Sequence, residues 1–100
     1  MTMRIPKTYS FDDVLLLPQL SKLESRGQSD ISTEIAGINM WLPVMSAPMD
    51  TITAGSMALF MWENGGLGVI HRYLSISDQY SEVRWAVEMG AKVGAAVGVN

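Results

Sequence analysis

The sequence predicts an α/β fold built on parallel strands, and three observations carry that prediction. Residues 42–51 read Leu-Pro-Val-Met-Ser-Ala-Pro-Met-Asp-Thr, and residues 65–72 read Gly-Gly-Leu-Gly-Val-Ile-His-Arg. Each stretch is a short apolar run that ends abruptly in polar or loop-forming residues, with an amphipathic segment between them. That is the pattern of a β-α-β unit, whose ligand-facing groups stand just past the carboxyl ends of its strands. Residues 92–99, rich in Val, Ala and Gly, supply a third strand after a second amphipathic segment. From Leu42 onward the order is therefore β-α-β-α-β, with the nearly continuous apolar strands that parallel sheets use.

Residues 1–41 form an irregular lead-in. Tyr9-Ser-Phe-Asp-Asp-Val-Leu-Leu-Leu-Pro18 holds one or two helical turns, started by Ser10 as N-cap and stopped by Pro18. Asp12 and Asp13 in that turn are explained by capping or solvation. Residues 25–30 are turn-rich. Residues 31–35, Ile-Ser-Thr-Glu-Ile, alternate apolar and polar and predict a half-exposed strand, with Gly37 turning the chain into a hairpin partner over 38–40.

The regular part, 42–100, begins with a buried strand over 42–46. Asp50 or Thr51 caps a helix running to about Asn64, with Ala54, Met57, Ala58 and Met61 on its inner face. Asn64-Gly65-Gly66 stops it in the left-handed conformation. The second strand spans 67–70. Ser75 or Ser77 opens a second helix whose buried stripe is read as Ile76, Tyr80, Val83 and Val87, and Gly90 ends it. Three strands and two helices do not cover both faces and both edges of such a sheet. The functional unit is therefore expected to be longer, with this chain as its N-terminal portion or as one of two pieces.

Composition bounds the function. Hydrophobic residues make up 48% and charged residues 17%, a globular balance with no sign of disorder. A net charge of −3, with seven scattered Lys and Arg, argues against a nucleic-acid partner. No apolar run reaches the ~20 residues a membrane span needs, and the first residues lack the pattern of a secretory signal. The absence of cysteine rules out disulfides, fits a cytoplasmic location and removes one class of nucleophile. No cluster has metal-ligand spacing. Gly65-Gly-Leu-Gly68 precedes a strand, whereas a dinucleotide loop follows one and opens a helix, so it is read as a helix stop. Trp41, Trp62 and Trp85 are too separated in sequence for a stacking platform, and core or subunit-contact roles are expected of them.

Four segments in register, Phe11-Asp-Asp-Val-Leu-Leu-Leu-Pro18, Ser46-Ala-Pro-Met-Asp-Thr51, Gly65-Gly-Leu-Gly-Val-Ile-His71 and Gly94-Ala-Ala-Val-Gly98, resemble the opening of the IMP dehydrogenase/GMP reductase family. The resemblance implies a (β/α)8 barrel, of which this chain supplies the lead-in and first three strands. It implies redox work on a purine nucleoside monophosphate. In the dehydrogenase a cysteine attacks C2 of IMP, hydride passes to NAD, and water releases XMP; in the reductase GMP is deaminated with NADPH. That cysteine lies on a later loop, so no catalytic residue is expected within these 100 residues and the chain alone is expected to be inactive. A monovalent cation, if one takes part, also belongs to loops outside this stretch. The family's usual tetramer implies a homo-oligomer.

Ser46-Ala-Pro-Met-Asp50 and the Gly-Gly pair are similar to the dehydrogenase branch. His71-Arg72-Tyr73, and the run through residues 88–94 without a CBS-domain insertion, are reminiscent of reductases. A dehydrogenase without its regulatory module is the expectation. The alternatives are a GMP reductase and a free-standing nucleotide-binding or subunit-interaction module.

In a parallel barrel the residues after each strand gather at one rim, which carries the active site. Ala47, Met49 and Asp50 match family positions in the nucleotide pocket. Small Ala47 lets a ligand approach the backbone, and the Met49 thioether suits a purine face, though it is equally one more core methionine. Asp50 is either a ligand contact or the helix N-cap. His71 and Arg72 stand near the site. His71 is an acid/base candidate or a hydrogen-bonded structural group, and Arg72 an anion-binding fork or a solvated rim charge, in a place where the family often has lysine or histidine. Asn100 matches a family position near the dinucleotide, where some dehydrogenases have histidine.

Overall fold

The computed structural model describes residues 2–99. In the lead-in, the Tyr9–Pro18 segment contributes a single 3-10 turn, Phe11–Asp13, the shorter of the two expected lengths. The Asp13 carboxylate accepts hydrogen bonds from the Ser10 N–H at 2.9 Å and the Ser10 hydroxyl at 3.1 Å. A second 3-10 turn covers Arg26–Gln28. Side chains before Ile38 are exposed, including Leu15 at 98% and Leu16 at 97%. The radius of gyration is accordingly 18.7 Å, against about 13 Å for a compact chain of this length.

A hairpin forms where the alternation predicts one, but its first strand is shorter than 31–35 and exposed throughout rather than half-exposed: β1 (Thr33–Ile35) runs antiparallel to β2 (Ile38–Met40), with Ile35 opposite Ile38. Its two-residue turn takes φ values of 50° at Ala36 and 78° at Gly37, the doubly positive pattern of a tight hairpin turn. Met40, at its end, is buried.

From residue 42 the element order matches the expected alternation, but the strands are shorter. β3 is Met45–Ser46, α1 Gly55–Glu63, β4 Leu67–Ile70, α2 Ile76–Glu88 and β5 Gly94–Ala95. The three strands form one parallel sheet in the order β3-β4-β5. The outer two pair on one side only, so their ladders end after two residues where the expected spans were 42–46 and 92–99.

Close packing explains the glycine-rich segment. Gly65 has φ 87°, and the N–H groups of Gly65 and Gly66 donate to the carbonyls of Trp62 (3.1 Å) and Met61 (2.8 Å). These are the two bonds of a Schellman stop. A Cβ on Gly68 would sit 2.5 Å from the Ala58 Cα, so β4 and α1 touch backbone to backbone. Ala58, Leu67, Ile70, Ala86 and Ala91 form the buried core beneath the helices.

Two helix readings need correction. Neither Asp50 nor Thr51 caps α1. The helix starts later, with Ala54 at the N-cap, and the Glu82 carboxylate from α2 accepts the Gly55 N–H at 2.7 Å. The second helix does open with Ser75, whose hydroxyl accepts the Asp78 N–H at 3.1 Å. Its inner stripe, however, is Gln79, Glu82, Val83 and Ala86, while Ile76, Tyr80 and Val87 are exposed. Two stripes of α2 carry apolar side chains, and the one with small Ala86 is the one buried.

Candidate functional site at the carboxyl rim of the sheet

The segments after β3, β4 and β5 come together at one edge, and side chains tie them to one another. After β3 the chain makes a tight turn in which the Met49 N–H donates to the Ala47 carbonyl at 2.8 Å. The N–H groups of Ile52 and Thr53 both donate to the Met49 carbonyl at 3.0 Å. Thr53 is fully buried and closes the turn. Its hydroxyl oxygen lies 2.6 Å from the Ala47 carbonyl and 2.8 Å from the Ser46 hydroxyl. A hydroxyl has one proton, so Thr53 donates to the carbonyl, which can only accept, and Ser46 completes the chain from the other side.

Thr53 also joins this turn to the next strand: its carbonyl accepts the His71 N–H at 3.2 Å. His71 is 6% exposed. Its Nδ1 accepts the Tyr73 N–H at 3.2 Å, and the two rings stack with centroids 6.2 Å apart. Of the two readings for His71, the geometry describes a hydrogen-bonded structural group that shapes the turn after β4.

Arg72 is exposed and lies over the Tyr73 ring, with Cζ 5.5 Å from the centroid. Its Nη1 is 3.0 Å from where a Cβ on Gly98 would stand, so the guanidinium reaches across to the segment after β5. Gln79, on the first turns of α2, bridges the same two segments. Its side-chain amide donates to the His71 carbonyl at 3.1 Å and to the Ala96 carbonyl at 2.9 Å.

Ala47, Met49 and Asp50 all stand exposed on the turn after β3. Met49 is 49% exposed, which excludes it from the core of the described residues. With Glu82 at the head of α1, Asp50 has no capping task, and its carboxylate makes no hydrogen bond among the described residues. The rim therefore presents a small residue, a thioether, an uncommitted carboxylate and a guanidinium around a framework of satisfied polar groups. Asn100, the expected dinucleotide contact, lies outside the described residues.

Sequence reasoning missed Thr53, Gln79 and Glu82. Thr53 and Gln79 tie the rim segments together, and Glu82 reaches the same region through α1. Only Thr53 left a local signal, a hydroxyl just ahead of a helix.

The opposite end of the sheet is built differently. There Trp41 and Trp62 line a common open groove of about 620 Å³ with Leu59, Gly65 and Met89, without stacking on each other. The Leu42 N–H donates to the Gly65 carbonyl at 3.0 Å, which lays Trp41 beside Gly65 at the end of α1. Glu63 is the only ionisable side chain lining this groove, beside the amides of Asn39 and Asn64. Among the described residues no group of three His, Asp or Glu is placed to hold a metal. No described helix is long and apolar enough to cross a membrane.

Comparison with known proteins identifies the family. The model of the IMP dehydrogenase/GMP reductase domain matches residues 8–100. The inosine-5'-monophosphate dehydrogenase of Methanocaldococcus jannaschii is 47% identical over 78 residues, which are 78% of this chain and 16% of that protein. The enzyme of the same name from Nitrosopumilus maritimus is 45% identical over 82 residues (81% and 17%), and that from Staphylococcus saprophyticus 46% over 79 (78% and 16%). The chain thus spans about one sixth of the length of these relatives. The matched stretch takes in the turn after β3, the glycine stop and the His71-Arg72 segment, and by this match the chain belongs to the IMP dehydrogenase/GMP reductase family.

Proposed function

We propose that this chain forms the opening of a (β/α)8 barrel that oxidises IMP to XMP with NAD, and that its own part is to hold the purine nucleotide. The observation that carries the reading is the turn after β3. It is locked from behind by the buried Thr53 hydroxyl, and it presents Ala47, Met49 and Asp50 outward at the carboxyl end of a parallel strand. A pre-formed edge of this kind holds a ligand without ordering the loop at the moment of binding.

Each rim residue has a task. Ala47, lacking a bulky side chain, admits the nucleotide to the backbone. The Met49 thioether packs on the purine face. Asp50 accepts hydrogen bonds from ligand N–H or O–H groups, and Arg72 offers its planar fork to an anionic or carbonyl oxygen. His71 keeps the second turn in shape. The sequence contains no cysteine, so the nucleophile that the family's chemistry requires comes from outside these 100 residues.

The described residues do not fit a dinucleotide phosphate cradle. Gly66 and Gly68 are filled by the Val44 carbonyl, Met61 and Ala58 and have no room for phosphate. NAD, when bound, would supply the hydride acceptor, and the contact expected of Asn100 lies outside the described residues.

One observation favours the reductase as a second reading: α2 passes into β5 through residues 89–93 alone, with nothing inserted. The names of the relatives weigh toward the dehydrogenase. The deciding experiment assays the intact polypeptide with IMP plus NAD and, separately, with GMP plus NADPH. Reduced dinucleotide formed from IMP supports the proposal; turnover only of GMP with NADPH overturns it in favour of the reductase. Asp50→Ala is expected to raise the KM for IMP about tenfold or more, the scale of a lost hydrogen bond to a charged group. It should leave thermal stability within about 0.5 kcal/mol, as for an exposed residue without a partner.

A further inference from the structure

We propose that Gln79 is a positioning residue that sets the spacing between the turn after β4 and the turn after β5, and so places Arg72 for the nucleotide. This rests on the function proposed above. The ladder between β4 and β5 gives out within two residues. Val69 pairs with Gly94 and Ile70 with Ala95, and the last backbone rung is Ala96 N–H to the Ile70 carbonyl at 2.9 Å. Beyond that rung the two segments must part to form their loops.

Gln79 enters at this point. A primary amide has two protons on one nitrogen, and Gln79 spends one on the His71 carbonyl (3.1 Å) and one on the Ala96 carbonyl (2.9 Å). It acts as one more rung, made by a side chain. The rung is held from the helix side: Gln79 sits one helical turn past the Ser75 cap, and its own N–H donates to the Ser75 carbonyl at 2.9 Å. One residue beyond His71 stands Arg72, and two beyond Ala96 stands Gly98, the pair whose approach puts the guanidinium at the rim. No other amide side chain touches both segments among the described residues, and the side chain is half-buried, so water substitutes poorly for it.

Gln79→Met keeps the length of the side chain and removes both protons. Gln79→Glu keeps the shape and sets a carboxylate against two carbonyl oxygens. The test compares both variants with the unmodified intact protein by IMP kinetics and by amide hydrogen exchange. The expected result for Gln79→Met is a KM for IMP raised about tenfold with kcat within about twofold, the mark of lost binding geometry. Exchange at the Ala96 and Tyr73 amides should quicken about tenfold while that at Ala58, inside α1, is unchanged. Gln79→Glu should move the same quantities further; if it fails to fold, Gln79→Met, which adds no charge, carries the test.

An unmoved KM, or exchange that quickens equally at Ala58, overturns the proposal, because the side chain then only adds general stability. An unmodified protein that does not turn over IMP with NAD overturns the proposed function instead. Exchange then decides the role of Gln79 alone: quickening confined to Ala96 and Tyr73 sustains it, and no change overturns it.

Discussion

The two ends of the small parallel sheet are fastened by different means. At the end where the strands begin, the fastenings are backbone to backbone: Leu42 to Gly65, Leu67 to Val44 at 3.1 Å, Gly66 to Met61, and Ala91 to Ala86 at 3.0 Å. At the end where the strands finish, side chains are added to the backbone bonds: Thr53, Ser46, His71 and Gln79. A backbone fastening asks of its residues only that they permit a conformation. A side-chain fastening asks for particular atoms. The chemically specified end is the one that presents Ala47, Met49, Asp50 and Arg72, so the cost in residue identity falls where a ligand would be held.

Substitutions at the two ends test this contrast. The largest effect is expected at Gly68, between the two ends. Gly68→Ala drives a methyl into the Ala58 backbone and should cost about 2–3 kcal/mol in chemical denaturation, as overpacking does. Thr53→Val keeps the shape but removes the proton given to Ala47. It should cost about 1–2 kcal/mol and also weaken nucleotide binding, measured by titration with IMP, because the turn after β3 loses its lock. Gly65→Ala, at φ 87°, should cost about 1 kcal/mol with IMP affinity unchanged. If it weakened binding as Thr53→Val does, the two ends would not be separable. The smallest effect is a gain. Ala36 holds φ 50° in the hairpin turn, and Ala36→Asn should raise the unfolding free energy in chemical denaturation by about 0.5 kcal/mol, since asparagine tolerates that region.

The same contrast separates what the sequence made legible from what it did not. Ser75 as a cap, Gly65 as a stop and the hairpin about Gly37 were readable because their partners lie within a few residues. So was the inner face of α1, where the small and apolar side chains fall in one stripe. The rim positions of Ala47, Met49, Asp50, His71 and Arg72 followed from strand ends alone. Gln79 was not readable: its partner Ala96 lies 17 residues away, and a glutamine on a helix looks like a solvated one. Glu82 was hidden in the same way, and its absence from the reading misassigned Asp50 as a cap. The stripe of α2 was misread because hydropathy favours Ile76 and Tyr80, whereas close approach favours Ala86.

The bond from Glu82 to Gly55 also sets a sequence of events in time. A nine-residue helix is marginal by itself, and α1 has no local side chain to close its first turn. The group that closes it lies 27 residues further along the chain. During synthesis at about 5–20 residues per second, α1 would emerge and wait roughly one to five seconds for that carboxylate. Arrested nascent chains that expose residue 82, compared with chains that do not, should differ in protease sensitivity at α1. The first helix of this chain is thus completed by the second, and a change at Glu82 reaches α1 before α1 has any cap of its own.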